Sequence, residues 1–84
     1  EVLYIGAMDT LALDTVFELV ASKRKEIKVL SDYRSRGFTK HLTNATKQGA
    51  TKVALIGTKE LEDGTIWVKD IANNKEMTVD LEEF

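Results

Sequence analysis

A run of four apolar residues, Val53-Ala54-Leu55-Ile56, closed by Gly57, constrains this chain more than any other feature. Successive strand residues point to opposite faces, so a strand without a polar residue has to be covered on both sides. That pattern belongs to a central parallel strand between two helical layers. Just upstream, Phe38, Leu42 and Ala45 recur at i, i+4 and i+7, the stripe of a helix turned to a core. Arg36, Lys40, Thr43 and Lys47 fall on another face, which must be wet. Gly49 stands where a left-handed residue would end that helix. Residues 31–60 thus read as loop, helix, stop and buried strand, and the rest of the chain completes the sheet.

From the start, Val2 to Ile5 is a first strand ending at Gly6. Asp9 or Thr10 can cap a helix in which Leu13, Val16, Phe17 and Val20 face the core, reaching to about Arg24. The cations Lys23-Arg24-Lys25 suit the negative end of its dipole. Ile27 to Leu30 is the second strand, and Ser31 to Arg36 the loop into the central helix. Strand–helix–strand–helix–strand with short joins implies right-handed crossovers and parallel pairing. The segment from Thr58 to Gly64 is too short for another crossover helix; it holds one helical turn and leads into an antiparallel neighbour. Thr65 to Asp70 alternates, with Ile66 and Val68 on one face and Trp67 and Lys69 on the other. Ala72-Asn73-Asn74-Lys75 is turn-rich, and Glu76 to Asp80 alternates again with Met77 and Val79 inward, which makes a hairpin.

A chain of 84 residues supports one modest core, hence a single domain over 1–84. No apolar run approaches the roughly 20 residues of a membrane span, so no membrane partner is expected. Without cysteine there is no disulfide or thiolate metal site, and the single histidine, His41, excludes multi-histidine zinc motifs. A reducing, cytoplasmic setting is compatible with this. No metal site, P-loop or nucleophile paired with His41 is visible, so no catalytic residue is expected; His41, between the apolar and polar stripes, is expected to pack at the boundary or meet solvent. The chain opens without methionine and stops at Leu81-Glu82-Glu83-Phe84, which reads as the first turn of an unfinished helix. A fragment of a longer protein is expected, with its C-terminal helix missing and the sheet face bearing Trp67 left partly uncovered.

The net charge of −2 hides segregation: residues 1–22 carry four acids and no base, residues 23–52 nine bases against two acids, and residues 53–84 eight acids against three bases. A basic patch of this kind binds polyanions even on a mildly acidic domain, or else pairs with its acidic neighbours.

The order of elements and several local words resemble one family. Phe38-Thr39-Lys40-His41-Leu42, Ala45-x-Lys47-x-Gly49-Ala50, Ile56-Gly57-x-x-Glu60, Gly64-x-x-x-Val68-Lys69-Asp70 and the final acidic turn are similar to the C-terminal anticodon-binding domain of histidyl-tRNA synthetases. The domains of the threonyl, prolyl and glycyl enzymes share the plan. The resemblance covers essentially the whole chain and is densest from Phe38 to Phe84. It implies a three-layer α/β/α fold with a five-stranded mixed sheet, order 2-1-3-4-5, strand 4 antiparallel, followed by a C-terminal helix. It also implies a parent class II ligase, cytoplasmic and homodimeric, whose separate catalytic domain uses ATP and magnesium. In that setting this domain holds no cofactor; its partners are the anticodon stem-loop of tRNA-His and the catalytic domain. Gly37 at the helix start and the basic Tyr33-Arg34-Ser35-Arg36 depart from the family pattern.

Single-stranded RNA loops are recognised by bases lying on aromatic or arginine planes, by edge hydrogen bonds and by phosphate contacts. Arg34, Arg36 and Lys40 sit at one loop–helix junction suited to phosphates. The resemblance gives Glu60, after strand three, and Lys69, on strand four, the positions that read anticodon bases; a surface ion pair is their plain alternative. Trp67 has two readings, packing against the missing helix or stacking a base. A different class of function stays open as well: a small-ligand or regulatory α/β domain using the switch-point crevice between Gly6-Ala7-Met8 and Gly57-Thr58-Lys59, or a paralogue domain kept for dimer contacts.

Overall fold

In the computed structural model, which describes residues 1–84, the two most apolar segments lie side by side at the centre of a sheet. The elements run β1 (Val2–Ala7), a 3-10 turn (Thr10–Ala12), α1 (Leu13–Lys23), β2 (Lys28–Asp32), α2 (Phe38–Lys47), β3 (Lys52–Ile56), α3 (Thr58–Asp63), β4 (Thr65–Asp70) and β5 (Lys75–Asp80). The sheet order is β2-β1-β3-β4-β5. β1 runs parallel to β2 and β3, while β4 is antiparallel to both β3 and β5. This is the expected topology.

Alternation along the strands sorts the core into two layers. Leu3, Ile5, Ala54, Ile56 and Ile66 pack against Val16 and Val20 of α1. On the other face, Tyr4, Val53 and Leu55 meet Ala45 of α2 and Ala50. All four residues of Val53–Ile56 are fully buried, so β3 is covered on both sides as its sequence required. Each large side chain removed from water there contributes roughly 1.5–3 kcal/mol. Gly49, at φ +80°, and Gly64, at φ +69°, end α2 and α3 in the left-handed conformation. Asn74, at φ +53°, closes the hairpin turn.

The periodicity misplaced several side chains. Phe38 is 43% exposed, whereas His41 is fully buried, so α2 turns its His41–Ala45 stripe to the sheet. Gly6 makes this possible: a Cβ there would lie 2.7 Å from the imidazole. Phe17 is 42% exposed and pairs instead with Tyr33, ring centroids 5.4 Å apart. Met77 shares the face of Ile66 and Val68 but is 52% exposed. A groove of about 410 Å³ remains there, lined by Leu3, Ile27, Val68, Met77, Val79 and Phe84 among others. Uncovered apolar surface thus lies on the α1 side as well, while the Trp67 face is itself partly open, with Glu76 and Thr78 exposed. Leu81 and Phe84 pack on this α1 side, with the Lys23 Nζ donating to the Phe84 carbonyl and standing 4.7 Å from its ring centre.

Candidate nucleic-acid interface

β1, β2 and β3 all end at one edge of the sheet, and the loop from β2 to α2 crosses it. Asp32 closes β2 and gathers the loop's cations. Arg36 Nε donates to Asp32 Oδ2 at 2.9 Å, and Arg34 Nε to Oδ1 at 3.4 Å, with the Arg34 backbone N–H also on Oδ1 at 3.1 Å. Desolvation pushes the Asp32 carboxyl up, but the hydrogen bonds from Arg36 and Arg34 outweigh it and hold it below the ordinary carboxylate range. The Arg36 side chain is 27% exposed and that of Arg34 75%. Both arginines are thus held by Asp32, Arg36 with the shorter bond and Arg34 with the more exposed side chain. Lys40 is exposed on the outer face of α2 and forms no ion pair.

A buried polar contact fixes this loop and helix to the sheet. His41 Nε2 lies 2.7 Å from the Ala7 carbonyl, and its Nδ1 lies 2.9 Å from the Tyr4 hydroxyl. A carbonyl only accepts, so Nε2 carries the proton and, in the neutral ring, Nδ1 accepts from Tyr4. Burial pushes the Tyr4 phenol up, which keeps it a donor. The same Ala7 carbonyl accepts the Arg36 backbone N–H at 3.0 Å. One oxygen at the end of β1 therefore holds both the basic loop and α2. His41 is neither a boundary nor a solvent residue, contrary to its place in the helical pattern. The readable signal was Gly6, since glycine inside a buried strand marks a close approach.

Glu60 stands at the same edge, in the first turn of α3. Its Oε1 accepts the Gly57 N–H at 2.7 Å, an N-terminal cap that an acid three residues into a helix commonly makes. Lys69 lies elsewhere. It pairs with Val53 on β3 and Glu76 on β5, four residues beyond Thr65, which at strand spacing is about 13 Å from the edge. The structure brings Arg34, Arg36 and Glu60 to one edge, sets Lys40 on the adjoining helix, and leaves Lys69 further along the open face. Trp67 is half-buried on that face and meets Phe38 edge-on, with ring centroids 4.8 Å apart and planes at 62°. At the switch point, the Met8 side chain approaches the Gly57 Cα side closely enough that a Cβ there would lie 3.3 Å from its methyl, and the His41 ring sits on Gly6. Those two side chains pack against the glycines at the switch point.

Residues 3–84 match the family described as "Anticodon binding domain". The histidine–tRNA ligase of Sulfurimonas denitrificans is 41% identical over 76 residues, which span 90% of this chain and 19% of that protein. That of a Sulfurovum strain is 38% identical over 80 residues, 95% of this chain and 20% of that protein. The chain thus spans about a fifth of the length of the curated relatives it matches. The solved histidyl-tRNA synthetase of S. aureus superposes with a TM-score of 0.84 at 30% identity, covering 95% of this chain and 21% of that one. The RNA binding domain of threonyl-tRNA synthetase from Cryptosporidium parvum gives 0.82 at 12% identity over 96% of this chain and 21% of that one, a likeness of fold alone. The sheet order, the two helical layers and a match along nearly the whole length lead to one statement: the chain belongs to the anticodon-binding domain family.

Proposed function

We propose that this chain is the RNA-gripping module of a histidine–tRNA ligase, holding the anticodon stem-loop of tRNA-His while a separate catalytic domain carries out ATP-dependent aminoacylation. The parent would be a cytoplasmic homodimer in which this domain occupies 1–84 of the present numbering. ATP and magnesium belong to the catalytic domain, and no step in this chain runs through them. Arg34, Arg36 and Lys40 hold phosphates; Glu60 and Lys69 contact base edges. The observation that carries the reading is the gathering of Arg34, Arg36 and Lys40 at one loop–helix junction, with Arg34 and Lys40 projecting to solvent. Phosphate contacts position RNA without reading it, and edge contacts read it.

The test separates the two roles. Lys40→Ala should weaken binding to cognate and anticodon-scrambled stem-loops alike, and lower the slope of log K against log salt by roughly 0.7–0.9. Lys69→Ala should instead erode the cognate preference by about 1–3 kcal/mol. Glu60→Gln keeps an oxygen for the Gly57 N–H while removing the charge, so a loss of preference there reports readout rather than a lost cap. Equal loss of both stem-loops in Lys69→Ala would remove the readout role, and no change in any variant would remove the RNA reading.

A further inference from the structure

α2 packs over β1 and β3 but leaves the same face of β4 and β5 open. Four residues share that open face by register: Trp67 opposite Thr78, and Lys69 opposite Glu76. Thr78 and Glu76 are exposed, and Lys69 and Trp67 half-buried. Along one side rises Phe38, the first residue of α2, 43% exposed although its position in the helix turns it toward the sheet. Its ring meets Trp67 edge-on at 4.8 Å. The result is a shelf with an aromatic wall and a polar floor that offers an ammonium donor, a carboxylate acceptor and a hydroxyl.

We propose that the Phe38–Trp67 pair is a stacking platform for one unstacked base of a single-stranded RNA loop, with the side chains of Lys69, Glu76 and Thr78 set against the base's hydrogen-bonding edge. The proposal rests on the RNA-binding reading and deepens it by assigning Phe38, Glu76 and Thr78. A base is the occupant that fits both halves of the shelf. Its π-face needs a flat apolar surface and its rim needs donors and acceptors. An apolar peptide side chain would satisfy the aromatic wall but strip water from Lys69, Glu76 and Thr78 with nothing in return. The polyanion that would bring the base is matched by Arg36, two residues before Phe38, and by Arg34 beyond it. The wall is also rigidly placed, because His41, three residues along the same helix, is locked to Tyr4 and Ala7.

The test uses the 84-residue chain and a dye-labelled stem-loop carrying the tRNA-His anticodon, with binding followed by anisotropy. Trp67, the only tryptophan, supplies a second signal through its own fluorescence. Phe38→Leu retains an apolar contact on Trp67 and removes the π-face, and its melting temperature checks that the fold is intact. Stacking predicts that Phe38→Leu weakens binding about tenfold, the usual scale for one aromatic–base stack, with an unchanged salt slope because no phosphate contact is lost. An abasic nucleotide introduced at each anticodon position in turn should cost the wild type a similar factor at one position and cost Phe38→Leu nothing further there, the signature of coupled partners. Trp67 fluorescence should fall on binding the intact loop and recover with the abasic one. Salt-dependent binding of the wild type, with neither the Phe38→Leu loss nor the coupling, overturns the platform and leaves the RNA reading standing. Absence of any stem-loop binding overturns both.

Discussion

The two halves of the sheet are built to different rules. In β2-β1-β3 the strands run parallel and Tyr4, Ile5 and Val53 to Ile56 show no exposure at all. In the β4–β5 hairpin only Ile66 is fully buried, and β5 contains no buried residue. The first half needs helices on both faces because its strands offer apolar side chains in both directions; the second pairs in place through its turn and leaves one face polar. Stability is concentrated in the parallel half, while the hairpin and the edge loop present the groups that are free to touch something else.

The largest expected effect tests that division directly. Leu55→Ala empties a fully buried site in the parallel half, and should lower unfolding free energy by about 2–5 kcal/mol. Met77→Ala removes a side chain of similar size from the hairpin, where 52% exposure already leaves it in contact with water, and should cost under about 1 kcal/mol. Urea denaturation of the two variants side by side measures the difference. Equal losses would mean that the hairpin is as tightly packed as the centre, and the division would fall.

A smaller effect concerns the contact that joins the two helical layers' sheet to the basic loop. Gly6→Ala sets a methyl against the His41 ring at an approach of 2.7 Å, so helix or ring must shift; overpacking of this kind costs about 1–3 kcal/mol. His41→Ala removes the partner of Tyr4 and one donor to Ala7, a loss of at least the same order. If the two residues act through one contact, the double variant Gly6→Ala/His41→Ala should lose less than the sum of its single variants. Strict additivity would detach Gly6 from the histidine.

His41 also shows where the sequence stops being legible. The topology was readable because a four-residue apolar strand, two crossover helices and an Asn-Asn hairpin each have one stable arrangement, and residues such as Ile66 and Val68 announce their face by alternation. Helical phase was not readable to better than one residue. Phe38 and His41 are three apart, and hydrophobicity alone assigns the inward place to phenylalanine. What reverses the order is a space beneath the helix left by Gly6 and a hydrogen bond from Tyr4, both distant in sequence. The same limit applies to Phe17, which found Tyr33 outside the core. Among the site residues, the grouping of Arg34, Arg36 and Lys40 followed from their closeness in the chain. The separation of Glu60 from Lys69 depended on strand register, which no local word encodes.

The smallest effect comes from charge and again divides the two halves. Asp32, at the end of β2, is 14% exposed and receives both Arg36 and Arg34, whereas Asp70, at the hairpin mouth, is bonded by Asn73 alone. Both carboxyls are held below their ordinary range. For Asp32 the opposing effect of desolvation is overcome by the arginines, and for Asp70 the side-chain and backbone bonds of Asn73 are the main cause. A depressed folded pKa means that the stabilisation is fully present above the unfolded value, about 3.9, and disappears as pH falls through the folded one. The Asp32 clamp is part-buried at the rim of the molecule, where solvent still screens it, so its worth is on the order of 1 kcal/mol. Asp32→Asn should therefore lower the urea midpoint slightly at pH 7, and the gap to wild type should close as the pH falls below the unfolded value and through the folded one. Asp70→Asn, which keeps an oxygen for Asn73 and breaks no ion pair, should show a narrower gap throughout. If the Asp32→Asn gap persists unchanged into strong acid, the arginines are not what ties that carboxylate to the folded state, and the basic loop is held by its other contacts, the Ala7 carbonyl among them.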